Sequence, residues 1–389
     1  MRGLSWVFLL AGLLLAGWYL GRPVTTPETA DGGGDTNNTP RAVEREPVRV
    51  PMLKRGVPNP DNEWIELNNQ AVEAIDAGDL EHAIELLEQC LEARPDEETF
   101  RVNLSRALVR RANDTYSLAG ADPDLAIDDL ARAIELDPSD EQLQELLDRW
   151  RRQRELEADF AGYESAHFSL SYDGERDDLL HGTQDVVDVL ERAYSDLWLA
   201  TGHDPVLEQG RRVRIVLYRR ENFHEATGLG HWAGGVYDGS IRLPIGDLEA
   251  ERAIWTRTLR HELTHAFVAS LGGSTVPGWL NEGFAQWFEG EREFQLARAR
   301  ERVDHDALFG LDDLGGSLAR LGEAESIARA YAQSLLLVDH LERFYGERLL
   351  GAMIAACGEG SSPQELFLER RGFELDRVLD DLANELERM

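Results

Sequence analysis

Apolar residues at Trp255, Leu259, Leu263 and Ala266, with Ser270 continuing the row, recur at spacings of three and four. That is the period of an α-helix with one buried stripe. Gly272-Gly273 reads as its stop and Pro277-Gly278 as the opening of a second helix, whose buried side is Leu280, Phe284, Trp287 and Phe288. A third helix is expected from Ile327 to Tyr345, with Leu335, Val338, Leu341 and Tyr345 at core spacing and Gly346 as its end. Upstream the period changes to two. Phe168–Tyr172 and Val213–Tyr218 alternate and read as strands, and Gly234–Pro244 reads as a hairpin turning at Asp238-Gly239.

The amino-terminal half has a different pattern. Leu4 to Leu20 is almost wholly apolar, near the lower length limit for a membrane span, and no small-x-small cleavage site follows it. Residues 1–21 are therefore expected to be an uncleaved signal anchor. Residues 22–60, rich in Pro, Gly, Thr, Asn and charge, are expected to be a disordered tether. Residues 62–155 carry a repeat: Gly78 to Ile84, then Leu87, Cys90 and Pro95, followed by Asp122 to Ile127, then Leu130, Ala133 and Pro138. Ala83 matches Ala126 and Pro95 matches Pro138, both 43 residues apart. The stripes and the closing proline resemble tetratricopeptide repeats, whose unit is about 34 residues, so an insertion is expected around Asn113–Ala121. That likeness implies a surface for peptides or a partner protein.

Composition narrows the function classes. The formal charge of −33, from 73 acidic against 40 basic residues, excludes nucleic acid as a natural partner. Lys54 is the only lysine. Cys90 and Cys357 fall in different expected domains, which argues against a disulfide, and their spacing does not suggest a metal site.

The chemistry is concentrated in His261-Glu262-Leu263-Thr264-His265. On a helix, His261 and His265 stand one turn apart on one face and can grip one ion, while Glu262 leans to the flank as a base for water. The His side of this helix is expected to face a cleft. Glu282, 17 positions after His265, lies in the first turn of the second helix and can complete a His2Glu set. Its place in an apolar stretch argues against an ordinary exposed carboxylate. Asn281 and Gln286 are possible orienting residues, though ordinary helix polar positions would carry the same letters. His231, in a Gly-rich loop before the hairpin, is a lesser candidate for substrate contact.

His261-Glu262-x-x-His265 followed by Asn281-Glu282-Gly283-x-Ala285 resembles the gluzincin metallopeptidases. The Trp279–Ala285 string is similar to that of the alanyl aminopeptidases. The closer likeness is to bacterial peptidase MA-like domains that follow tetratricopeptide repeats. It covers about residues 165–350. The resemblance implies an α+β zincin-like catalytic domain over residues 160–389, behind an all-α tetratricopeptide-like module. It implies one Zn2+ per chain on His261, His265 and Glu282, with Glu262 as general base and acid. Tyr331 is the candidate for holding the oxyanion, and the edge of the Val236–Leu243 hairpin for pairing with an extended substrate. The aminopeptidases' upstream Gly-x-Met-x-Asn element is missing, and Gly351-Ala352-Met353 is on the wrong side of the zinc motif. An aminopeptidase mode therefore does not carry over. The expected protein is a zinc peptidase of a bacterial membrane, single-pass, with its catalytic domain on the periplasmic or extracellular side, acting on a peptide or protein. Two alternatives stand beside it: a silent scaffold that binds peptides or partners, and a zinc hydrolase of a non-peptide bond.

Overall fold

The computed structural model describes residues 61–117, 122–138, 140–206, 210–229 and 233–388. The expected anchor (1–21) and tether (22–60), and the loop residue His231, lie outside the described residues. Among the described residues no helix is long and apolar enough to cross a membrane. The chain divides into two compact units that meet between Ala158 and Asp159.

The first unit is helical: α1 (Asp61–Ala77), α2 (Leu80–Ala93), α3 (Glu98–Tyr116), α4 (Pro123–Leu136) and α5 (Glu141–Leu156), each packed on the next. Local signals set the boundaries. Gly78 takes φ +82 in the two-residue turn between α1 and α2, and the Asp79 side chain accepts from the His82 N–H to start α2. Asp122 caps α4 in the same way, with Pro123 in its first turn. The sequence match of α2 with α4 is also a match of burial: Ala83, Leu87, Ala126 and Leu130 are all fully buried. Part of the expected insertion lengthens α3, which runs on to Tyr116. There the Tyr116 ring stacks on Trp150 of α5 at 4.0 Å, and its hydroxyl donates to Gln153 Oε1 at 2.7 Å.

The second unit begins with a five-stranded mixed sheet. Its strands are β1 (Phe160–Glu164), β2 (Phe168–Asp173), β3 (Val213–Tyr218), β4 (Val236–Tyr237) and β5 (Ile241–Pro244), in the order β1-β2-β3-β5-β4. The β1–β2 and β4–β5 pairs are antiparallel, and the β2–β3 and β3–β5 pairs parallel. A parallel pair needs a long crossover. For β2–β3 it is α6 (Asp177–Thr201), and for β3–β5 it includes α7 (Arg220–Thr227). Phe168, Leu170, Ile215, Leu217, Ile241 and Leu243 point to the main core. Val216 and Tyr218 are buried as well, so β3 is covered on both faces. The hairpin turn is pinned from inside: fully buried Arg242 donates to Tyr218 Oη at 2.6 Å and pairs with Asp238 at 3.1 Å.

Helices follow: α8 (Arg252–Gly272), α9 (Gly278–Phe288), α10 (Arg292–Arg302), α11 (Ala324–Tyr345), α12 (Glu347–Gly358), α13 (Pro363–Arg371) and α14 (Asp376–Glu387). Gly273 at φ +66 ends α8. The first N–H groups of α9 would be orphans. Those of Gly278 and Trp279 instead donate to the carbonyls of Gly315 and Leu314, both at 3.0 Å, from the connection between α10 and α11. That close approach explains Gly278: a Cβ there would lie 2.0 Å from the Gly316 oxygen. Every residue of α9 is buried, not only the stripe at Leu280, Phe284, Trp287 and Phe288, because α8, α11 and this connection cover it on several sides.

Candidate metal centre

The two histidines lie in the middle of α8, and Glu282 one turn into α9. Pro277 and Gly278 start α9 so that its inner row, Glu282, Gln286 and Glu289, faces α8 or α11. His261 Nε2 and His265 Nε2 are 3.0 Å apart, and each is 3.7 Å from Glu282 Oε2. The circle through three atoms at those separations has a radius of about 2.0 Å, which is the length of a zinc–nitrogen or zinc–oxygen bond, about 2.0–2.2 Å. Glu282 Oε2 is buried and has no hydrogen-bond partner among the described residues. A buried carboxylate oxygen left bare is costly unless a cation or donor meets it. The donor set, its spacing and this bare oxygen fit a metal ion of zinc type.

The electrostatics point the same way. Burial, with the Glu262 and Glu289 charges, pushes Glu282 up to about 8 against the opposing His261 charge and a hydrogen bond from Tyr331. Burial also lifts Glu262 to about 7, with Glu289 and Asp238 adding and His261 and the Tyr237 N–H opposing. Burial alone would lower His261, but the bond and charge of Glu289, with the Glu262 and Glu282 charges, outweigh it and bring it to about 9. His265 is held well below its ordinary value by burial and the neighbouring His261 charge. Several carboxylates crowded in one dry place share little positive charge, a balance that suits a bound cation.

Supporting contacts orient the set. His261 Nδ1–H donates to Glu289 Oε1 at 2.6 Å, and His265 Nδ1–H to Asn281 Oδ1 at 3.0 Å. Gln286 does not meet the candidate ligand atoms; its amide donates to the Glu282 and Tyr331 backbone carbonyls at 3.2 and 3.0 Å, tying α9 to α11. The Tyr331 hydroxyl, from α11, bonds to the Glu282 carboxylate. Glu262 lies beside the edge strand: the Tyr237 N–H donates to it, and a Cβ on Gly235 would lie 3.3 Å from its Oε1, which has no partner.

Residues 213–387 match the Peptidase MA superfamily. The matched segment holds β3, the hairpin, both histidines, Glu262, Glu282 and Tyr331, and it supports a gluzincin-like peptidase domain in this part of the chain. No curated protein matches the chain.

Two features depart from the sequence reading. The histidines were expected to line a cleft, yet His261, Glu262, His265 and Glu282 are each no more than 3% exposed. The physical reason is that α9, β4 and β5 pack against α8, together with α6 and α12. Glu289 was not anticipated at all. It lies seven residues after Glu282, hence on the same helical face, and that spacing was the signal available for finding it.

Proposed function

We propose that residues 160–389 form a zinc-dependent peptidase of the gluzincin kind, holding one Zn2+ per chain on His261, His265 and Glu282. The observation that carries this reading is the convergence of those three ligand atoms around a buried carboxylate oxygen that nothing else satisfies. When bound, the ion would lower the pKa of a water toward neutrality and polarise the scissile carbonyl. Glu262 takes the proton from the attacking water and delivers it to the leaving amine. Burial raises Glu262 above its ordinary value, the direction that a base which must also hand its proton on requires. Tyr331 offers its hydroxyl to the oxyanion, from a position already against the ligand set. The β4 edge, whose Tyr237 N–H meets Glu262, pairs with an extended peptide and sets its carbonyl beside the base.

The rest of the protein follows from the same reading. Residues 1–21 anchor the chain in a bacterial membrane and 22–60 tether it, with the peptidase unit on the periplasmic or extracellular side. The helical unit is a tetratricopeptide-type module that receives a partner protein or presents the substrate. Zinc analysis and casein hydrolysis on the same preparations of wild type and Glu262→Gln test the central part. One zinc in both with proteolysis in the wild type alone is expected. No zinc in the wild type would overturn the site, and one zinc without proteolysis in either would favour the scaffold.

A further inference from the structure

α6 and α8 pack on each other and leave a groove of 590 Å³ between them. Arg252, Thr256 and Arg260 line it from α8, at a spacing of four that sets them in one row along the helix. Arg192 and Asp196 line it from α6. Two ion pairs join the helices here: Arg252 meets Asp185 at 2.8 Å, and Arg260 meets Asp196 at 3.2 Å. Arg260 Nε also donates to the Phe288 carbonyl at 2.7 Å, which holds its guanidinium in place. Glu191 is the other carboxylate of the lining, and His167 Nδ1 engages it at 2.5 Å. Arg192 falls between Asp185 and Asp196 on α6, and Thr256 between Arg252 and Arg260 on α8, so both stand between the two pairs. Neither the Arg192 guanidinium nor the Thr256 hydroxyl has a hydrogen-bond or ion-pair partner among the described residues.

We propose that this groove binds a phosphate group carried by a small molecule, held by Arg192, Thr256 and Arg260. The lining sets three guanidinium groups against two carboxylates, an excess of positive charge in a chain of net −33. Arg260 commits Nε to Phe288 and Nη2 to Asp196, which leaves Nη1 for a ligand. The donors come from two helices and so from different directions. That suits a tetrahedral oxyanion, whereas a planar carboxylate is served by the fork of a single guanidinium. The groove's volume falls within the range of small-molecule sites, about 300–1,000 Å³, and exceeds what a bare phosphate fills, so the phosphate belongs to a larger molecule. The negative field of the whole chain is screened over about 8 Å at physiological salt and does not cancel contacts made inside the groove. His261 and His265 lie on another side of α8, and the groove's occupancy does not rest on the zinc reading.

Calorimetric titration of the full-length protein with phenyl phosphate tests this, and one saturable site is expected. A hydrogen bond to a charged group is worth about 10-fold in affinity or more, and Arg192→Ala is expected to lose that much. Arg192→Lys keeps the charge but not the fork and is expected to lose less, as is Thr256→Val. Arg192 is exposed, so Arg192→Ala is expected to melt with the wild type. Two further proteins locate the ligand. Arg370→Ala removes an exposed arginine outside the groove, and His265→Ala removes a candidate metal ligand. Both are expected to bind phenyl phosphate as the wild type does, with chelator-treated wild type standing in where His265→Ala does not fold. A loss in Arg370→Ala equal to that in Arg192→Ala would mean diffuse charge attraction, and a loss in His265→Ala or on chelation would put the anion at the metal centre; either overturns the proposal. Vesicles containing phosphatidylglycerol distinguish the source of the phosphate. Binding to them that depends on Arg192, with none to phenyl phosphate, assigns it to a lipid headgroup. No saturable binding of either, or wild-type affinity in Arg192→Ala, overturns the site.

Discussion

Gly283 lies beside Glu282 at a close approach of α9 to α11. A Cβ built there would sit 2.4 Å from the Ser334 carbonyl oxygen and 2.8 Å from its carbon, where ordinary contact begins at 3.4 Å. The obstacle is helix backbone, which no rotamer change removes, so in Gly283→Ala the two helices must part by about 1 Å. Helix propensity alone would make this substitution stabilising by about 1 kcal/mol. Overpacking against a fixed neighbour costs about 1–3 kcal/mol, and the backbone contact places this case near the top. The expected net loss is about 2 kcal/mol, a fall in melting temperature of about 4–8 °C for a domain of this size. Glu282 and the Tyr331 hydroxyl bonded to it sit on opposite sides of the widened seam. Metal sites tolerate ligand displacements of only about 0.2 Å, so zinc occupancy falls with stability. Calorimetry of the metal-free variant and zinc titration read the two effects apart. Gly316→Ala is the control: a Cβ there meets nothing within 4 Å, and a change within about 0.5 kcal/mol is expected. A Gly283→Ala protein that melts at or above the wild-type temperature would refute the argument, since propensity would have won and the seam would be looser than described.

Zinc at about 100 times its dissociation constant should add about 2.7 kcal/mol of stability, removed by chelator and absent in His265→Ala; a melting temperature indifferent to zinc would contradict the site. Leu130→Ala, in the fully buried centre of α4, should cost about 2–5 kcal/mol by urea denaturation, and a loss below about 1 kcal/mol would mean that the helical core is not packed as described. Glu385 gives a pH test. Burial alone would raise it, but hydrogen bonds from Arg343 at 2.7 Å and His340 at 2.9 Å outweigh that and hold it below its ordinary 4.5. A folded value below the unfolded one contributes stability that is complete above the unfolded value and lost as pH falls through the folded value. Glu385→Gln should therefore flatten the acid limb of the stability–pH profile, and an unchanged limb would disprove the pairing.

Sequence alone placed the elements whose causes are local. The i, i+4 spacing put His261 and His265 on one face, Gly272-Gly273 and Pro277-Gly278 bounded the helices, and Asp238-Gly239 marked the hairpin. These are effects of a few neighbouring residues on their own backbone, so the letters suffice. Glu282 was legible one step further, because a carboxylate in so apolar a stretch needs a partner. Tertiary structure decided what lies across long separations. It set the strand order β1-β2-β3-β5-β4, in which β5 rather than β4 follows β3, and it drew the Gly315 and Leu314 carbonyls onto the start of α9. It also buried His261, Glu262, His265 and Glu282 and brought Glu289 onto His261. Glu289 reads in the sequence as one acid among 73, because a carboxylate's role depends on which ring nitrogen it meets. That meeting is fixed by the packing of α8 on α9 and by one left-handed turn at Gly290–Glu291, neither of which has a local periodicity to announce it.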